Sequence, residues 1–299
     1  MARHLTVPDS RGPAAQSGSP PPPRMSHPPP LVLSFAPTDA TGGSGLQADL
    51  LTLAAMGCHP LTVATAVSVR DSAGIDDFMP LDSELVGDQA RLVLEDMAVS
   101  AFKVGMVGTI DNAAAIAAIL SDYPEVPVVL DPALAEGAGE SFDAEQFAGG
   151  VRDLLVPLAT VVIANAGEAR RLAATEEDED DPGLEESAGR LLAAGADYVL
   201  VTGAGDEPQA ILNTLYGEKG VVRSDTWERL PGTFHGAGAT LSAAVAAAIA
   251  NGLDVPEAVR EAQEYVWQSL SEAFRPGMGH RLPDRFFWAR ELEEGEDAA

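Results

Sequence analysis

The stretch GTFHGAGATLSAA, Gly232 to Ala244, places three small residues, Gly236, Ala237 and Gly238, at the mouth of a segment that otherwise reads as helix. A helix opening this way leaves main-chain N–H groups unpaired and presents the positive end of its dipole, and the lack of bulk lets an anion approach. That is chemistry for a phosphate. A plain helix N-terminus capped by polar groups is the competing reading. Ala239, next in line, has no side-chain group that can take a proton. His235, just before the loop, either contacts a phosphate, supplies the missing base, or caps and packs.

Three further stretches have compatible chemistry. In APTDATGGSGLQADL, Ala36 to Leu50, glycines permit close main-chain approach and Asp39 can accept two hydrogen bonds from a polar ligand. The same letters contain Gly43-x-Gly45-x-x-Ala48, a relaxed dinucleotide pattern, but it stands seven residues beyond Phe35, whereas a dinucleotide turn follows its strand tightly. A glycine-rich connection without a ligand is the third possibility. In NAGE, Asn165 and Glu168 stand three apart at a helix start and could hold a hydrated Mg²⁺ near nucleotide phosphates; helix capping alone explains the pair nearly as well. Asp131, ending the run VVLD, adds a carboxylate. Together these features point to phosphoryl transfer, which depends on positioning and charge stabilisation. The chain has no GxxxxGK[ST] sequence, so a different architecture must position them.

The elements that could do so alternate. Strands are expected at 31–35, 61–69, 101–105, 126–131, 160–165 and 197–202, with helices at about 45–57, 82–97, 110–121, 143–155, 167–174 and 185–195 between them. This is the pattern of βαβ units and a mostly parallel sheet. In such a sheet, strand-to-helix loops gather at the carboxyl edge, where ligands bind. After the sixth strand the pattern changes to a β-hairpin turning at Gly217 to Gly220, followed by helices at about 237–252 and 255–273.

Residues 1–30 are rich in Pro and poor in large apolar side chains, which predicts a disordered extension. Residues 31–290 form one α/β domain, and 291–299 an acidic tail. The run EEDEDDPG after Thr175 reads as a surface loop. With 46 acidic and 18 basic residues the net charge is −28, which disfavours nucleic acid as a partner. No run is long and apolar enough for a membrane span. Cys58 is the lone cysteine and cannot form an internal disulfide; together with the lack of a secretory signal it points to a cytoplasmic protein. His59, beside it, reads as structural.

Five motifs in order give a more specific resemblance: TDATGGSGLQADL, FKVGM (102–106), VLDPAL (129–134), ANAGEA (164–169) and HGAGATLSAA (235–244). On these the chain resembles the ribokinase-like superfamily, and within it the hydroxymethylpyrimidine/phosphomethylpyrimidine kinases of thiamine biosynthesis. The resemblance implies a mostly parallel central sheet flanked by helices, ATP and Mg²⁺ as cofactors, a small pyrimidine acceptor and a homodimer. It implies that Asp39, Ser44, Asp49 and Met106 line or support the pyrimidine pocket and that Asn165 and Glu168 form the metal and phosphate motif. Asp131 joins Glu168 as a metal ligand, while Gly236, Ala237, Gly238 and Ala239 form the anion hole.

Three positions depart from the family pattern. Ala239 replaces a usual Cys, Arg70 replaces a ring-binding Gln, and Thr202 replaces a frequent Lys in the nucleotide region. Arg70 either binds an anionic group of the substrate or swings out to solvent or to Asp71. Without a base at 239, phosphorylation of an alcohol is expected to suffer more than phosphorylation of a monophosphate. A vitamin B6 kinase and a degenerate kinase acting as a ligand sensor are the alternatives.

Overall fold

The computed structural model describes residues 28–134, 144–175, 182–205 and 208–290. Residues 1–27 of the Pro-rich stretch, most of the acidic run after Thr175 and the acidic tail lie outside the described residues; Pro30 O accepts from His59 N at 2.9 Å.

Among the described residues the sheet has nine strands, in the order β3-β2-β1-β4-β5-β6-β7-β8-β9. Its parallel part comprises β1 (Leu31–Asp39), β2 (His59–Arg70), β4 (Ala101–Val104), β5 (Val128–Leu130), β6 (Val161–Asn165) and β7 (Tyr198–Thr202). The hairpin expected in the C-terminal third is present as antiparallel β8 (Ala210–Gly217) and β9 (Gly220–Glu228), with Gly217 facing Gly220 across the turn. At the opposite edge, β3 (Ile75–Pro80) pairs antiparallel with β2.

Two elements differ from expectation for local reasons. Pro37 and the polar Thr38-Asp39 look like the start of a loop, yet β1 continues to Asp39 because β2 runs on beside it, with a register shift between Ala36 and Thr38. Such an irregularity accommodates a proline within a paired strand. The sequence of β3, IDDFMP, has no period-2 alternation and is mostly exposed, so only its pairing with β2 makes it a strand.

Alternating side chains of each central strand feed two cores. Leu33 and Phe35 pack with α2 (Ser83–Asp96), α3 (Ile110–Ser121), α4 (Ala144–Leu155), α5 (Ala166–Ala173) and α6 (Leu184–Ala193). Val32 faces the other way, towards α1 (Gly45–Ala55), α7 (Ala237–Ala250) and α8 (Val255–Ser271). Helix α7 is buried continuously from Thr240 to Ala248, which explains its run of alanines: a helix lying against a sheet with neighbours on both sides has no face for polar side chains. The chain leaves β1 to form β2 on one side and later returns to place β4 on the other, so a crevice opens at the carboxyl ends of β1 and β4.

Candidate functional site

A cavity of about 340 Å³ occupies that crevice. Its floor is made by the carboxyl ends of the parallel strands and the residues that follow them: Ala36 and Pro37 of β1, Gly105 and Met106 after β4, Asp131 after β5, Asn165 of β6 and Thr202 of β7. Its roof is the start of α7, from Phe234 to Ala239.

The start of α7 has the character expected of an anion loop. Gly236 is its N-cap at φ +89°, and no side chain caps the helix. By contrast α2, α3, α5 and α8 are capped by Asp82, Thr109, Asn165 and Asp254. Leaving α7 uncapped keeps its first-turn N–H groups available to a ligand in the cavity. Helix α1, which also opens on the cavity through Ser44 and Gly45, likewise lacks a side-chain cap. Gly45 has φ +57°, and a Cβ there would stand 2.2 Å from Pro37 O, so the turn into α1 requires glycine.

Asp39 is placed differently from the expectation that it receives a ligand. Its Oδ1 accepts from the amide and the hydroxyl of Thr41, at 2.8 and 2.7 Å. Its Oδ2 accepts from Ser44 N at 2.8 Å and stands 2.8 Å from His235 Nε2. Both oxygens are thus committed to shaping the glycine loop. Burial alone would raise its pKa, but the bonds from His235, Thr41 and Ser44 outweigh burial and hold it at about 2.

Arg70 turns inward, with its side chain 7% exposed, which corrects the reading that it swings out to solvent or to Asp71. Its Nη2 lies 3.3 Å from His235 Nδ1 and its Nε 3.8 Å from Asp39 Oδ2. A guanidinium only donates, so Nδ1 accepts and the ring proton sits on Nε2, donated to Asp39. With both ring nitrogens committed, His235 has no lone pair for a substrate proton. It serves as a bridge between the C-terminal end of β2 and the glycine loop rather than as a replacement base. His59 opens β2 at the other end of the strand, away from the cavity.

Asp49 is wholly buried beneath the cavity floor, where its Oδ2 accepts from Lys103 Nζ at 3.0 Å and from Ser34 Oγ at 2.5 Å. Asp39, Asp49 and Arg70 therefore stand behind the cavity, whereas Ser44 and Met106 line it. Lys103, which also lines it, is a residue the sequence reading misses, although one of only two lysines, set in the apolar run AFKV, is a usable signal.

Across the cavity, Asn165 and Glu168 form a reciprocal capping box. Asn165 Oδ1 accepts from Gly167 N and Glu168 N, and Glu168 Oε2 accepts from Asn165 N, each at 3.0 Å. Capping is real here, and both side chains still line the cavity with Thr202 and Asp131. Ser242 Oγ donates to Asp131 Oδ2 at 2.8 Å, tying that carboxylate to α7. Among the described residues no group of three His, Cys, Asp or Glu forms a metal cluster. Two carboxylates lining one cavity suit Mg²⁺, which takes one or two carboxylates and completes its shell with phosphate and water. Cys58 lies elsewhere in the core, and burial pushes its thiol up to about 11, which leaves it inert.

Comparison with known proteins identifies the family and the fold. The sequence pattern of the phosphomethylpyrimidine kinase family matches residues 39–284. The chain is 35% identical to the hydroxymethylpyrimidine/phosphomethylpyrimidine kinase of Streptomyces coelicolor over 84% of its own length and 92% of the relative's. It is 33% identical to the pyridoxine kinase of Bacillus subtilis over 81% and 91%. Among solved structures, the ADP complex of Bacillus subtilis pyridoxal kinase superposes with a TM-score of 0.75 at 28% identity, covering 86% of this chain and 97% of that one. Among the described residues no helix is long and apolar enough to cross a membrane.

Proposed function

The chain belongs to the phosphomethylpyrimidine kinase family, and we propose that it transfers the γ-phosphoryl group of ATP to 4-amino-5-hydroxymethyl-2-methylpyrimidine and to its monophosphate, as in thiamine biosynthesis. One observation carries this reading: the bare N-terminus of α7 opens into the same cavity as the acceptor-side residues Ser44 and Met106 and the nucleotide-side pair Asn165 and Glu168.

In this reading the acceptor lies over the glycine loop, and the nucleotide phosphates lie towards α5. The acceptor oxygen attacks the γ-phosphorus as the bond to ADP breaks. The main-chain N–H groups of Gly236 to Ala239 receive the charge that develops on the equatorial oxygens, fixed in advance and needing no reorganisation. Asp131 and Glu168 would hold Mg²⁺, which neutralises phosphate charge when bound.

Ala239 puts a methyl group where a proton acceptor would serve, so the alcohol must shed its proton unaided. A positioned base is worth about 10²- to 10⁴-fold. The monophosphate acceptor is largely ionised at neutral pH, its second pKa being about 6, so its phosphorylation is the better retained step. ATP consumption measured in parallel with the alcohol and the monophosphate tests this: equal turnover of both, or loss of the second step alone, removes the reading.

A vitamin B6 kinase is the second reading, favoured by the pyridoxine kinase relative. Side-by-side phosphorylation of pyridine and pyrimidine alcohols separates the two. A ligand sensor predicts pyrimidine binding with no ATP consumption, restored by Ala239→Cys. We place the protein in the cytoplasm, consistent with a single reduced thiol. We also propose a homodimer, supported by the exposed Val67 and Met79, paired across the edge hairpin, and Val69 beside them. A monomer by sedimentation at micromolar concentration would exclude it.

A further inference from the structure

Arg285 lies outside every motif of the proposed reaction, yet its guanidinium sits directly behind the place where the two loops meet. It is 4% exposed. Its Nη1 donates to Gly42 O at 3.1 Å, its Nη2 to Gly43 O at 2.6 Å and its Nε to Thr240 Oγ1 at 3.1 Å. The Thr240 hydroxyl in turn donates to Gly236 O at 2.8 Å. A Cβ on Gly236 would stand 3.1 Å from Nη2, so the cation rests against the N-cap of α7. The main chain carrying it is anchored separately, through Tyr265 Oη donating to Arg285 O and Asp284 N donating to Ser269 O, both at 2.9 Å.

The charge matters as much as the fork. The hydrogen-bond partners of the guanidinium are two carbonyls and a hydroxyl, all neutral, while Asp39 and Asp49 act on it only through space. Burial draws its pKa down to about 10, so it stays protonated at neutral pH. Removing a cation from water is costly, and neutral donors could hold two carbonyls without that cost. A positive charge behind N–H groups that point into a cavity strengthens the attraction of that cavity for an anion, and low polarity around it enlarges the effect.

We propose that Arg285 is a positioning residue for phosphoryl transfer: it holds Gly43 against Gly236, which keeps the first-turn N–H groups of α7 aimed at the transferring group, and it adds a buried positive charge behind them. This rests on the reading of the cavity as a phosphoryl-transfer site. The guanidinium acts through the loops and makes no contact with the acceptor.

The test compares Arg285→Gln, Arg285→Lys and Thr240→Val with wild type. Loss of a direct donor to a developing oxyanion costs about 10²- to 10³-fold in kcat, so a residue acting one layer behind is expected to cost at least about tenfold in Arg285→Gln. KM for ATP and acceptor should stay within about threefold, because the lost interaction belongs to the transition state. Arg285→Lys, which keeps the charge and loses the fork, should recover part of the loss. Thr240→Val should show the same split in milder form, and it carries the test if Arg285→Gln does not fold. Binding of ADP with aluminium fluoride, a mimic of the phosphoryl group in flight, should weaken in step with kcat, while ADP alone binds as in wild type. A kcat in Arg285→Gln within about twofold of wild type, or an unchanged affinity for the aluminium fluoride complex, overturns the proposal. A loss that only follows the folded fraction, with no recovery in Arg285→Lys, also overturns it. A wild type that phosphorylates no pyrimidine defeats the functional reading alone, since the aluminium fluoride comparison needs no acceptor turnover.

Discussion

Gly43 and Gly236 meet main chain to main chain: a Cβ on Gly236 would stand 1.6 Å from Gly43 O, and Gly236 already has φ +89°. The loop that begins α1 and the loop that begins α7 are therefore a single surface assembled from distant parts of the chain. Gly236→Ala must separate them or strain the N-cap, and is expected to lower stability by at least about 2 kcal/mol and to lose nearly all turnover. Gly238 has no heavy atom within 4 Å of a Cβ position, so Gly238→Ala should fold normally. Melting temperatures and steady-state rates of the two variants check this, and wild-type behaviour in Gly236→Ala would separate loop contact from function.

Ala239→Cys returns a thiol at the cavity roof whose thiolate, favoured by the helix N-terminus, can take the alcohol proton. The expected outcome is a gain of about 10²-fold in phosphorylation of the alcohol, the lower end of what a positioned base supplies, with little change for the monophosphate. Rates with both acceptors under identical conditions provide the measurement. A gain of equal size on both acceptors would mean that Ala239 limits something other than proton removal.

The Asp39 carboxylate, held at about 2 in the folded protein, couples stability to acid. Its unfolded value is about 3.9, so the folded state binds the proton less readily. The stabilisation is complete above about pH 5 and is lost progressively as pH falls through about 4 and then about 2, for a total of about 2 to 3 kcal/mol. Urea midpoints between pH 2.5 and pH 6 should show that slope, and Asp39→Asn should flatten it while lowering stability already at neutral pH. An unchanged slope in Asp39→Asn would assign the acid sensitivity to other carboxylates.

Glu168→Gln separates capping from metal binding. Glutamine preserves a capping box, so the melting temperature should hold. The magnesium concentration for half-maximal rate should rise by about 10- to 100-fold, the range seen when support for a metal site is removed. A magnesium titration alongside a melting curve distinguishes the two roles, and an unaltered magnesium requirement would leave Glu168 as a cap alone.

The legible and illegible parts of this site divide along a physical line. The small residues of the α7 loop could be read because an uncapped helix start needs absence of bulk, and absence of bulk is visible in letters. The same holds for Asn165 and Glu168, whose three-residue spacing is local. A carboxylate beside a glycine loop looks available to a ligand in the sequence, yet the four hydrogen bonds of Asp39 come from Thr41, Ser44 and His235, the last far away in sequence. Arg285 could not be found this way, since its partners Gly42, Gly43 and Thr240 belong to two other segments. Strand β3 was hidden for a related reason: its few apolar side chains give no period, and it exists only as a partner of β2.

Hydrophobic period and turn composition act over a few residues, so the alternation of strands and helices, the hairpin after the sixth expected strand and the chemistry available at each strand end are written locally in the chain. Which of those groups face the cavity and which stand behind it is decided by packing. That decision rests on contacts between segments far apart in the chain: Gly43 against Gly236, Arg70 against His235 and Lys103 against Asp49. Burial then leaves each polar group with whichever partner the packing brings within hydrogen-bonding distance.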